Sequence, residues 1–377
     1  MIGFNRPFVT GDEETYCLDA IASGKLSGGG KFTKLCQEFF VREYAVGKAL
    51  MTTSCTDALE MAAILSNIQP GDEVVLPSFT FVSTANAFVL RGAKIIFADS
   101  QISHPNIDAE AIEALISERT KALVVVHYAG VACDMKKISN LCRKYGILLI
   151  EDAAQAIDSY FEKDALGSFG DFGAFSFHET KNIVCGEGGM LAINDSAFFD
   201  RAEIIWEKGT NRAAFHRGEV AKYEWVDIGS SFLPSELNSA FLWAQLQHIE
   251  AIQKRRVEHW FRYMSNFSEL ERMHGVEVPY LPRYATQNGH MFYLVTKSFE
   301  ERGDLIRHLE GFGIRSVFHY LTLHDSPFFS SSHDGRHLPN SIRYSQRLLR
   351  LPMFVDLTNR QIDFISEKVL QFYSERN

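Results

Sequence analysis

A lysine and an aspartate of this chain each follow an apolar run, and together they could act on a carbonyl group. Lys181 comes shortly after the apolar run Phe172–Phe177, and Asp152 comes two residues after the run Gly146–Ile150. A lysine amine that loses its proton in a desolvated site can attack an aldehyde, and a carboxylate can keep a pyridine nitrogen protonated. With Ser176 as a phosphate ligand, these residues are what a pyridoxal phosphate (PLP) site requires.

Two other segments could complete such a site. The run Thr52–Asp57 is small and polar and leads into a predicted helix, where Asp57 and Glu60 have capping-box spacing. Exposed amides at a helix N-terminus attract phosphate, although most such sequences are plain helix caps. Phe81 follows a strand-like run and could stack on a cofactor ring, although a phenylalanine is more often part of the core.

The elements that must position these residues alternate between strands and helices from about residue 50 to 230. The predicted strands are Glu73–Leu76, Ala93–Phe97, Ala122–Val126 and Ile147–Ile150. The predicted helices are Asp57–Ser66, Val82–Leu90, Ala109–Ile116 and Met135–Tyr145. Short apolar strands separated by helices predict an α/β fold with a mostly parallel sheet covered on both faces. Ligands of such sheets sit beyond the carboxyl ends of the strands, where Asp152 and Ser176 fall.

The remainder of the chain predicts a second, smaller α+β domain. One long helix is expected from Ser235 to about Phe267. After it come predicted strands at Val276–Leu281, His290–Thr296 and Ile314–His319, and predicted helices at Arg302–Gly311, Asn340–Leu349 and Asn359–Tyr373. Because 377 residues exceed one compact core, we expect a large domain over residues 1–245 and a small one over residues 246–377.

Composition narrows the possible partners. The net charge of −9 argues against nucleic acid as a main partner. No stretch predicts a membrane span, and the N-terminus does not resemble a signal peptide, so we expect a cytoplasmic protein.

The six cysteines form no Cys-x-x-Cys pair and are expected to be reduced and mostly buried, and no spacing predicts a metal site. Gly28–Gly30 lacks the dinucleotide fingerprint, which disfavours a Rossmann oxidoreductase.

Taken in order, these segments resemble the DegT/DnrJ family of PLP-dependent sugar aminotransferases over nearly the whole chain. The runs that carry the resemblance are Thr53–Leu59, Pro77–Asn86, Val126–Gly130, Glu151–Gln155, Ser176–Asn182 and Gly186–Gly189. The resemblance implies the aspartate aminotransferase-like fold (fold type I), with a mostly parallel seven-stranded sheet in the large domain.

The resemblance also implies roles for individual residues. Lys181 matches the lysine that carries PLP covalently, and Asp152 matches the partner of the pyridine nitrogen. Gln155 matches the residue that contacts the ring hydroxyl, and Phe81 matches the stacking aromatic. The residues that match phosphate contacts are Thr56, Asp57 and Ser176, the first two mainly through backbone amides.

A homodimer with shared active sites is implied as well. Many members of the family place an asparagine of the partner subunit on the phosphate, in a segment that matches residues 229–233. The matching position here is Leu233, so the contact would have to come from elsewhere, with Ser230 and Ser231 as candidates.

Within the family, four longer runs are most similar to those of enzymes that aminate dTDP-4-keto-6-deoxy-D-glucose with L-glutamate. They are Phe177–Asn182, Lys208–Arg212, Asp227–Ser231 and Val317–Tyr320. The products would be dTDP-4-amino-4,6-dideoxy-D-galactose, a unit of surface polysaccharides, and 2-oxoglutarate. The candidate contacts to this nucleotide sugar are Arg212, Lys25, Tyr320 and His324. Arg212 and Lys25 lie in loops, where function concentrates, and either could neutralise the diphosphate.

Several alternatives remain open at this point. The same chemistry could give the 4-amino-glucose epimer or a 3-amino sugar. A sugar 3-dehydratase of this scaffold carries histidine at the position of Lys181, so the lysine argues against that activity. A regulatory protein that kept the scaffold without PLP would be colourless and indifferent to borohydride.

Overall fold

A seven-stranded sheet is the centre of the computed structural model, which describes residues 1–376. The strands of the first two thirds of the chain are β1 (Lys48–Thr52), β2 (Glu73–Pro77), β3 (Lys94–Ala98), β4 (Thr120–Val126), β5 (Leu148–Asp152), β6 (Tyr160–Phe161), β7 (Asp164–Ala165), β8 (Phe172–Ser176) and β9 (Gly189–Ile193). The sheet has the order β1-β9-β8-β5-β4-β2-β3, and β6 and β7 form a separate two-stranded sheet. Strand β9 is antiparallel to both neighbours, and the other four pairs are parallel. The predicted mostly parallel seven-stranded sheet is therefore confirmed.

Helices cover both faces of this sheet. They are α1 (Glu13–Ala22), α2 (Lys31–Tyr44), α3 (Cys55–Leu65), α4 (Ser83–Val89), α5 (Met135–Tyr145), α6 (Phe199–Trp206), α7 (Arg212–His216) and α8 (Glu236–Gln247). Along β4, Leu123 and Val125 belong to a core cluster that contains residues of α2 and α5. Ala122 and Val124 belong to a second cluster, with residues of α3, α4 and α6. Alternate side chains of a strand point to opposite faces, so the sheet is buried on both sides.

The last third of the chain forms a smaller α+β unit with its own core. Its elements are α9 (Ile249–Asn266), α10 (Leu270–His274), β10 (Phe292–Val295), α11 (Phe299–Gly311), β11 (Val317–Phe318), α12 (Pro339–Arg347), β12 (Leu348–Leu351) and α13 (Asn359–Ser374). The three strands form an antiparallel sheet in the order β10-β12-β11. Its core packs Trp260, Tyr263 and Phe292 together. The boundary at residues 245 and 246 stays a prediction.

Two predicted elements of the large unit differ from the structure. The helix expected at Ala109–Ile116 is only a short 3₁₀ turn at Glu113–Leu115. At its start the Asp108 carboxylate accepts a hydrogen bond from the Glu110 amide (3.1 Å), a local turn that competes with a helix. The long helix expected from Ser235 to Phe267 is divided into α8 and α9 at His248, whose φ of −111° and ψ of 13° are not helical.

Two predictions for the small unit were also wrong in part. The expected strand Val276–Leu281 makes only one isolated bridge, between Glu277 and Val295, because Pro279 lacks the N–H that a ladder requires. The helix expected to run to Leu349 ends at Arg347, and the next four residues form β12. This strand carries Arg350 into the cavity described below.

Some expectations about composition can also be compared with the structure. All six cysteines are free and four of them are buried, as predicted. No helix within residues 1–376 is long and apolar enough to cross a membrane. The same residues contain no group of three or more His, Cys, Asp or Glu side chains that could hold a metal ion.

Candidate active site

A cavity of about 580 Å³ lies at the carboxyl ends of β5 and β8. Seven of the residues predicted for the site line it, namely Thr56, Phe81, Asp152, Gln155, Ser176, Lys181 and Tyr320. The small unit contributes His290, Met291, His319, Arg350 and Met353, and the N-terminal segment contributes Phe4 and Asn5. The fold therefore brings residues far apart in sequence around one enclosed space.

Asp152 is the last residue of β5 and is only 5% exposed. Its carboxylate accepts hydrogen bonds from the Thr84 hydroxyl (2.7 Å) and the Ala154 amide (3.2 Å). Burial raises the pKa of Asp152, while these hydrogen bonds and the charge of Lys181 lower it. The two donors fix the direction of the carboxylate, and a cation in the cavity would stabilise its ionised form.

Lys181 lies in the loop that joins β8 to β9. The loop is closed by backbone hydrogen bonds from Phe177 N to Gly188 O (2.8 Å) and from Glu179 N to Gly186 O (3.0 Å), and Lys181 N donates to His178 O (2.9 Å). Burial of the ammonium group lowers the pKa of Lys181, whereas Cys55 and Asp152 act in the opposite direction. A lysine whose neutral form is favoured by its surroundings is suited to attack a carbonyl and to move protons.

Small polar groups at the N-terminus of α3 form one end of the cavity. Ser54 caps this helix by accepting a hydrogen bond from the Asp57 amide (3.1 Å). The first-turn amides of Cys55 and Thr56 have no partner within the helix, because the first N–H groups of any helix lack one. Ser176 also lines this end, and the Thr56 hydroxyl donates to Ser83 (2.8 Å). Free amides and hydroxyls at a helix N-terminus are suited to a phosphate group.

Asp57 lies outside the cavity lining, unlike the other predicted phosphate contacts, Thr56 and Ser176. The capping pair is Ser54 with Asp57, not Asp57 with Glu60 as the spacing had suggested. The Asp57 amide is engaged by Ser54, and its carboxylate accepts from Thr53 and Ser54. Asp57 does not line the cavity. Its contact with a phosphate therefore stays a prediction, and its observed contacts hold the turn before α3.

Gly189 allows the start of α3 to lie close to the sheet. It pairs with Thr52 on one side and with Ser176 on the other. A Cβ atom at Gly189 would lie 2.4 Å from the carbonyl carbon and oxygen of Ser54, closer than atoms can approach. Gly189, the last residue of the glycine-rich run Gly186–Gly189, thus sets the distance between the helix N-terminus and Ser176.

Gln155 and two aromatic residues border the opposite part of the cavity. The Gln155 side-chain oxygen accepts from the Ala129 amide (2.6 Å), which orients its side-chain NH2 toward the Tyr320 hydroxyl (3.2 Å). This NH2 group can donate to a ring oxygen of a bound ligand. Phe81 is 55% exposed and its ring lies 6.1 Å from that of Tyr320. Phe81 is therefore available to stack on a ligand, not part of the core.

Three predicted substrate contacts do not line this cavity. His324 is buried, and its Nδ1 lies 2.6 Å from the Ser78 hydroxyl. Lys25 is exposed and donates to Ser27 (2.9 Å). Arg212 pairs with Glu207 at 3.7 Å. Only Tyr320, of the four candidates, lies with Lys181.

Arg212 instead lines a separate hollow of about 280 Å³. The same hollow includes Ser231 and Leu233, from the segment expected to reach a partner subunit. Neither residue lines the main cavity of its own chain. The segment and Arg212 are thus neighbours of each other, and the residues that line this hollow do not line the cavity that contains Lys181.

Glu151, the neighbour of Asp152 on β5, is fully buried. Its carboxylate accepts three hydrogen bonds, from the amides of Gly167 (2.8 Å), Phe169 (2.7 Å) and Gly170 (2.7 Å). His127 Nε2 lies 2.9 Å from the same carboxylate. Glu151 therefore has a structural role, because it holds the loop before β8 and the end of β4 beside Asp152.

His290 is a cavity residue that the sequence did not single out. Its Nδ1 lies 2.9 Å from the Asn182 side-chain oxygen, and the Asn182 NH2 group donates to Gln253 and to the Asn288 carbonyl. Since the Asn182 oxygen must accept, His290 Nδ1 carries the proton and Nε2 is an acceptor. Burial keeps the pKa of His290 well below its usual value. The sequence feature that could have pointed to His290 was the position of its partner Asn182, directly after Lys181.

Arg350 also lines the cavity and was missed. It interrupts the apolar run Leu348–Leu351, and the helix predicted at Asn340–Leu349 ended one residue before it, so no role was predicted for Arg350. A charged residue within an apolar strand was the signal that could have identified it.

The described residues fit PLP on structural grounds. The cavity combines free amides and hydroxyls at a helix N-terminus, a lysine with a lowered pKa and a fixed, buried carboxylate. These groups match the phosphate, the aldehyde and the pyridine nitrogen of PLP respectively.

Comparison with known proteins agrees with this arrangement. The model of the DegT/DnrJ/EryC1/StrS aminotransferase family matches residues 8–370. The spore coat polysaccharide biosynthesis protein SpsC of Bacillus subtilis is 32% identical over 97% of this chain and 95% of its own length. The GDP-perosamine synthase of Escherichia coli O157:H7 is 30% identical over 98% of both chains.

A solved structure with the same fold is that of the aminotransferase TlmJ from Streptoalloteichus hindustanus. It superposes with a TM-score of 0.91 over 100% of both chains, at 29% identity. The predicted aminotransferase-like α/β fold is thereby confirmed.

Proposed function

This chain belongs to the DegT/DnrJ/EryC1/StrS aminotransferase family, and we propose that it transfers the amino group of L-glutamate to C4 of dTDP-4-keto-6-deoxy-D-glucose. The products are then dTDP-4-amino-4,6-dideoxy-D-galactose and 2-oxoglutarate, and the amino sugar serves surface polysaccharide synthesis. A cytoplasmic location fits this proposal, because six free cysteines suit a reducing compartment.

The general activity of the enzyme does not depend on which ketosugar it aminates. The enzyme is a PLP-dependent sugar aminotransferase. When bound, PLP supplies an aldehyde that receives the amino group and a ring that takes up the electrons of a broken C–H bond.

We assign the central roles to Lys181 and Asp152. Lys181 Nζ would hold the cofactor, and its free amine would take the proton from the donor α-carbon and return a proton in the second half of the reaction. The lowered pKa of Lys181 favours the neutral amine that this proton transfer requires. Asp152 would keep the pyridine nitrogen protonated, and Gln155 would donate to the ring oxygen from its NH2 group, which the Ala129 amide orients.

The choice of substrate is supported by sequence runs that lie at the cavity or near the second hollow. Phe177–Asn182 contains Lys181, and Val317–Tyr320 brings Tyr320 beside Gln155. Lys208–Arg212 contributes Lys208 and Arg212 to the second hollow. The name of SpsC refers to polysaccharide biosynthesis and that of GDP-perosamine synthase to a nucleotide sugar, which fits the same class of substrate.

The test is an assay of the purified enzyme with dTDP-4-keto-6-deoxy-D-glucose and L-glutamate, followed by NMR of the product. We expect 2-oxoglutarate and amino sugar in equal amounts, with an axial nitrogen on C4. The GDP-linked ketosugar serves as the comparison for the nucleotide. An equatorial amine would assign the enzyme to the 4-amino-glucose series, amination at C3 would assign it to the 3-amino sugars, and a preference for GDP would reject the dTDP substrate.

We further propose that the enzyme is a homodimer with shared active sites. The segment that precedes Ser230 exposes large apolar side chains, among them Tyr223, Val226 and Trp225, the last 80% exposed. Clustered exposed apolar side chains mark interaction surfaces. Arg212 does not reach the cavity of its own chain, yet a sugar diphosphate requires cations. A second copy that covers this segment would bring these residues to the neighbouring cavity.

Complementation between two impaired variants tests this sharing. We expect Arg212→Glu to lower kcat/KM roughly 10- to 100-fold, the value of a lost charge-assisted hydrogen bond or two. In a mixed dimer with Lys181→Ala, one cavity has both Lys181 and the Arg212 of the partner subunit, so activity should return. Mixing with Lys163→Ala, an exposed lysine outside the cavity, controls for subunit exchange. A mixed dimer without recovered activity would contradict the shared site.

A further inference from the structure

Arg350 is a cation without an anionic partner inside the main cavity. It lies on β12, where it pairs with Tyr293 of β10 and Val317 of β11. Its guanidinium carbon lies 4.6 Å from the centre of the Phe4 ring. Within residues 1–376 its side chain makes no ion pair or hydrogen bond, and its Nε is buried without a partner. A desolvated charge without a counter-charge is unfavourable, so this side chain is arranged to receive an anion.

Arg350 belongs to a different unit from the groups at the end of the cavity that suits a phosphate. The free amides lie at Cys55 and Thr56, at the start of α3 in the large unit, whereas β12 belongs to the small unit. Lys181 and Arg350 are the only lysine and arginine among the described residues that line the cavity. The phosphate of PLP therefore has its own binding groups, and Arg350 is left for another ligand.

Arg350 also lies close enough to Lys181 to influence it. Burial lowers the pKa of Lys181, and the charge of Arg350 lowers it further. The same charge adds to the effect of burial in lowering the pKa values of His290 and His319. With both histidines neutral, Arg350 is the permanent positive charge next to the reactive amine.

We propose that Arg350 binds the α-carboxylate of the amino donor. In an amino acid the carboxyl carbon lies roughly 2.5 Å from the amine nitrogen, as bond lengths and the angle at the α-carbon require. The donor amine must come to the position of Lys181 Nζ, so its carboxylate must fall beside that position. The diphosphate of the nucleotide sugar is attached across the sugar ring from the aminated carbon, so it lies farther from Lys181. A cation near Lys181 thus suits the carboxylate better.

The choice of arginine is consistent with this role. A guanidinium can bind both carboxylate oxygens through two parallel N–H groups, which a lysine cannot do. The Phe4 ring packs against the guanidinium and limits its rotation. Two parallel hydrogen bonds would fix the donor so that the proton on its α-carbon faces Lys181.

The first test is the affinity for 2-oxoglutarate, measured by calorimetry on the PLP-loaded enzyme. Arg350→Gln should weaken this binding roughly 10- to 100-fold, as expected for the loss of charge-assisted hydrogen bonds. Arg350→Lys keeps the charge and should show a smaller loss, which separates recognition from a folding defect. Arg347→Gln, at the end of α12 and outside the cavity, should bind as the wild type does.

The second test compares two donors in the first half of the reaction, followed by the visible absorbance of the bound cofactor. L-isoglutamine carries an uncharged amide in place of the α-carboxylate, so the wild type should strongly prefer L-glutamate. This preference should largely disappear in Arg350→Gln. A variant that kept the preference, or that lost affinity for the nucleotide sugar in place of 2-oxoglutarate, would overturn the inference.

The inference rests on the proposed function only in taking an amino acid as the donor. A wild-type enzyme that aminates a different ketosugar with L-glutamate would contradict the proposed substrate and leave Arg350 unaffected. A wild-type enzyme with the proposed substrates and an Arg350→Gln variant of unchanged donor affinity would contradict only the role of Arg350.

Discussion

Replacing Lys181 with alanine is expected to abolish turnover and remove the visible absorbance of covalently bound PLP. The cavity-lining residues offer no other lysine to take its place. Loss of a positioned proton carrier alone lowers a rate by about 10²- to 10⁴-fold, and loss of covalent attachment adds to that. Steady-state amination of the ketosugar and the absorbance spectrum are the two measurements.

A matched control for this variant is Lys163→Ala, in the exposed turn between β6 and β7. It removes a lysine near in sequence and outside the cavity, so its spectrum and kcat should equal those of the wild type. If Lys181→Ala kept normal amination and normal absorbance, another residue would have to carry the chemistry. The assignment of the cavity would then be wrong.

Replacing Asp152 with asparagine should retain some cofactor and lose most of the rate. Asparagine keeps the size of the side chain, but it cannot counter a positive charge on the pyridine nitrogen. Removing one partner of a buried ion pair costs about 3–5 kcal/mol, which corresponds to a fall in kcat of roughly 10²- to 5 × 10³-fold. The Ala154 amide can still donate to the asparagine oxygen, and the Thr84 hydroxyl can accept from the asparagine NH2 group, so the side chain stays oriented.

The kinetics of Asp152→Asn should be read together with its cofactor content. Asp164→Asn, at an exposed position of β7, is the control for removing one negative charge. We expect normal kinetics in the control and a large loss of kcat at equal cofactor content in Asp152→Asn. Unchanged kinetics in Asp152→Asn would exclude a role at the ring nitrogen.

Much of the fold could be predicted because strands and helices of the large unit have clear periodicity. Helix α5 has the predicted bounds, and strands β2 to β5 differ from the predictions by at most two residues at either end. Asp152 and Ser176 were placed at strand ends, and the parallel sheet brings such ends together at one edge. Local sequence was therefore sufficient for the cofactor end of the cavity.

The parts that could not be predicted depend on contacts between distant segments. Arg350 enters the cavity because residues 348–351 pair with β10, although Leu348 and Leu349 were predicted as the end of a helix. His290 acquires its acceptor only through Asn182, more than a hundred residues earlier. Phe4 reaches Arg350 from the other end of the chain. No local pattern contains such pairings, since tertiary packing decides between helix and strand in a short apolar run.

The positions of Arg212 and Lys25 show a related limit. Both were expected near the sugar diphosphate because of their charge and their loops, and neither lines the cavity of its own chain. A contact made between subunits has no signature within one chain. Only the complementation between Arg212 and Lys181 variants can place Arg212 at a site.

The central claim is that Lys181 carries PLP, and peptide mapping after borohydride reduction tests it most directly. Reduction fixes PLP on its lysine and blocks trypsin there, so the modified peptide should span residues 164–201, with the added mass on Lys181. The Lys181→Ala protein, treated in the same way, should carry no added mass. Modification of a different lysine, or no modification of the wild type with excess PLP, would contradict the account.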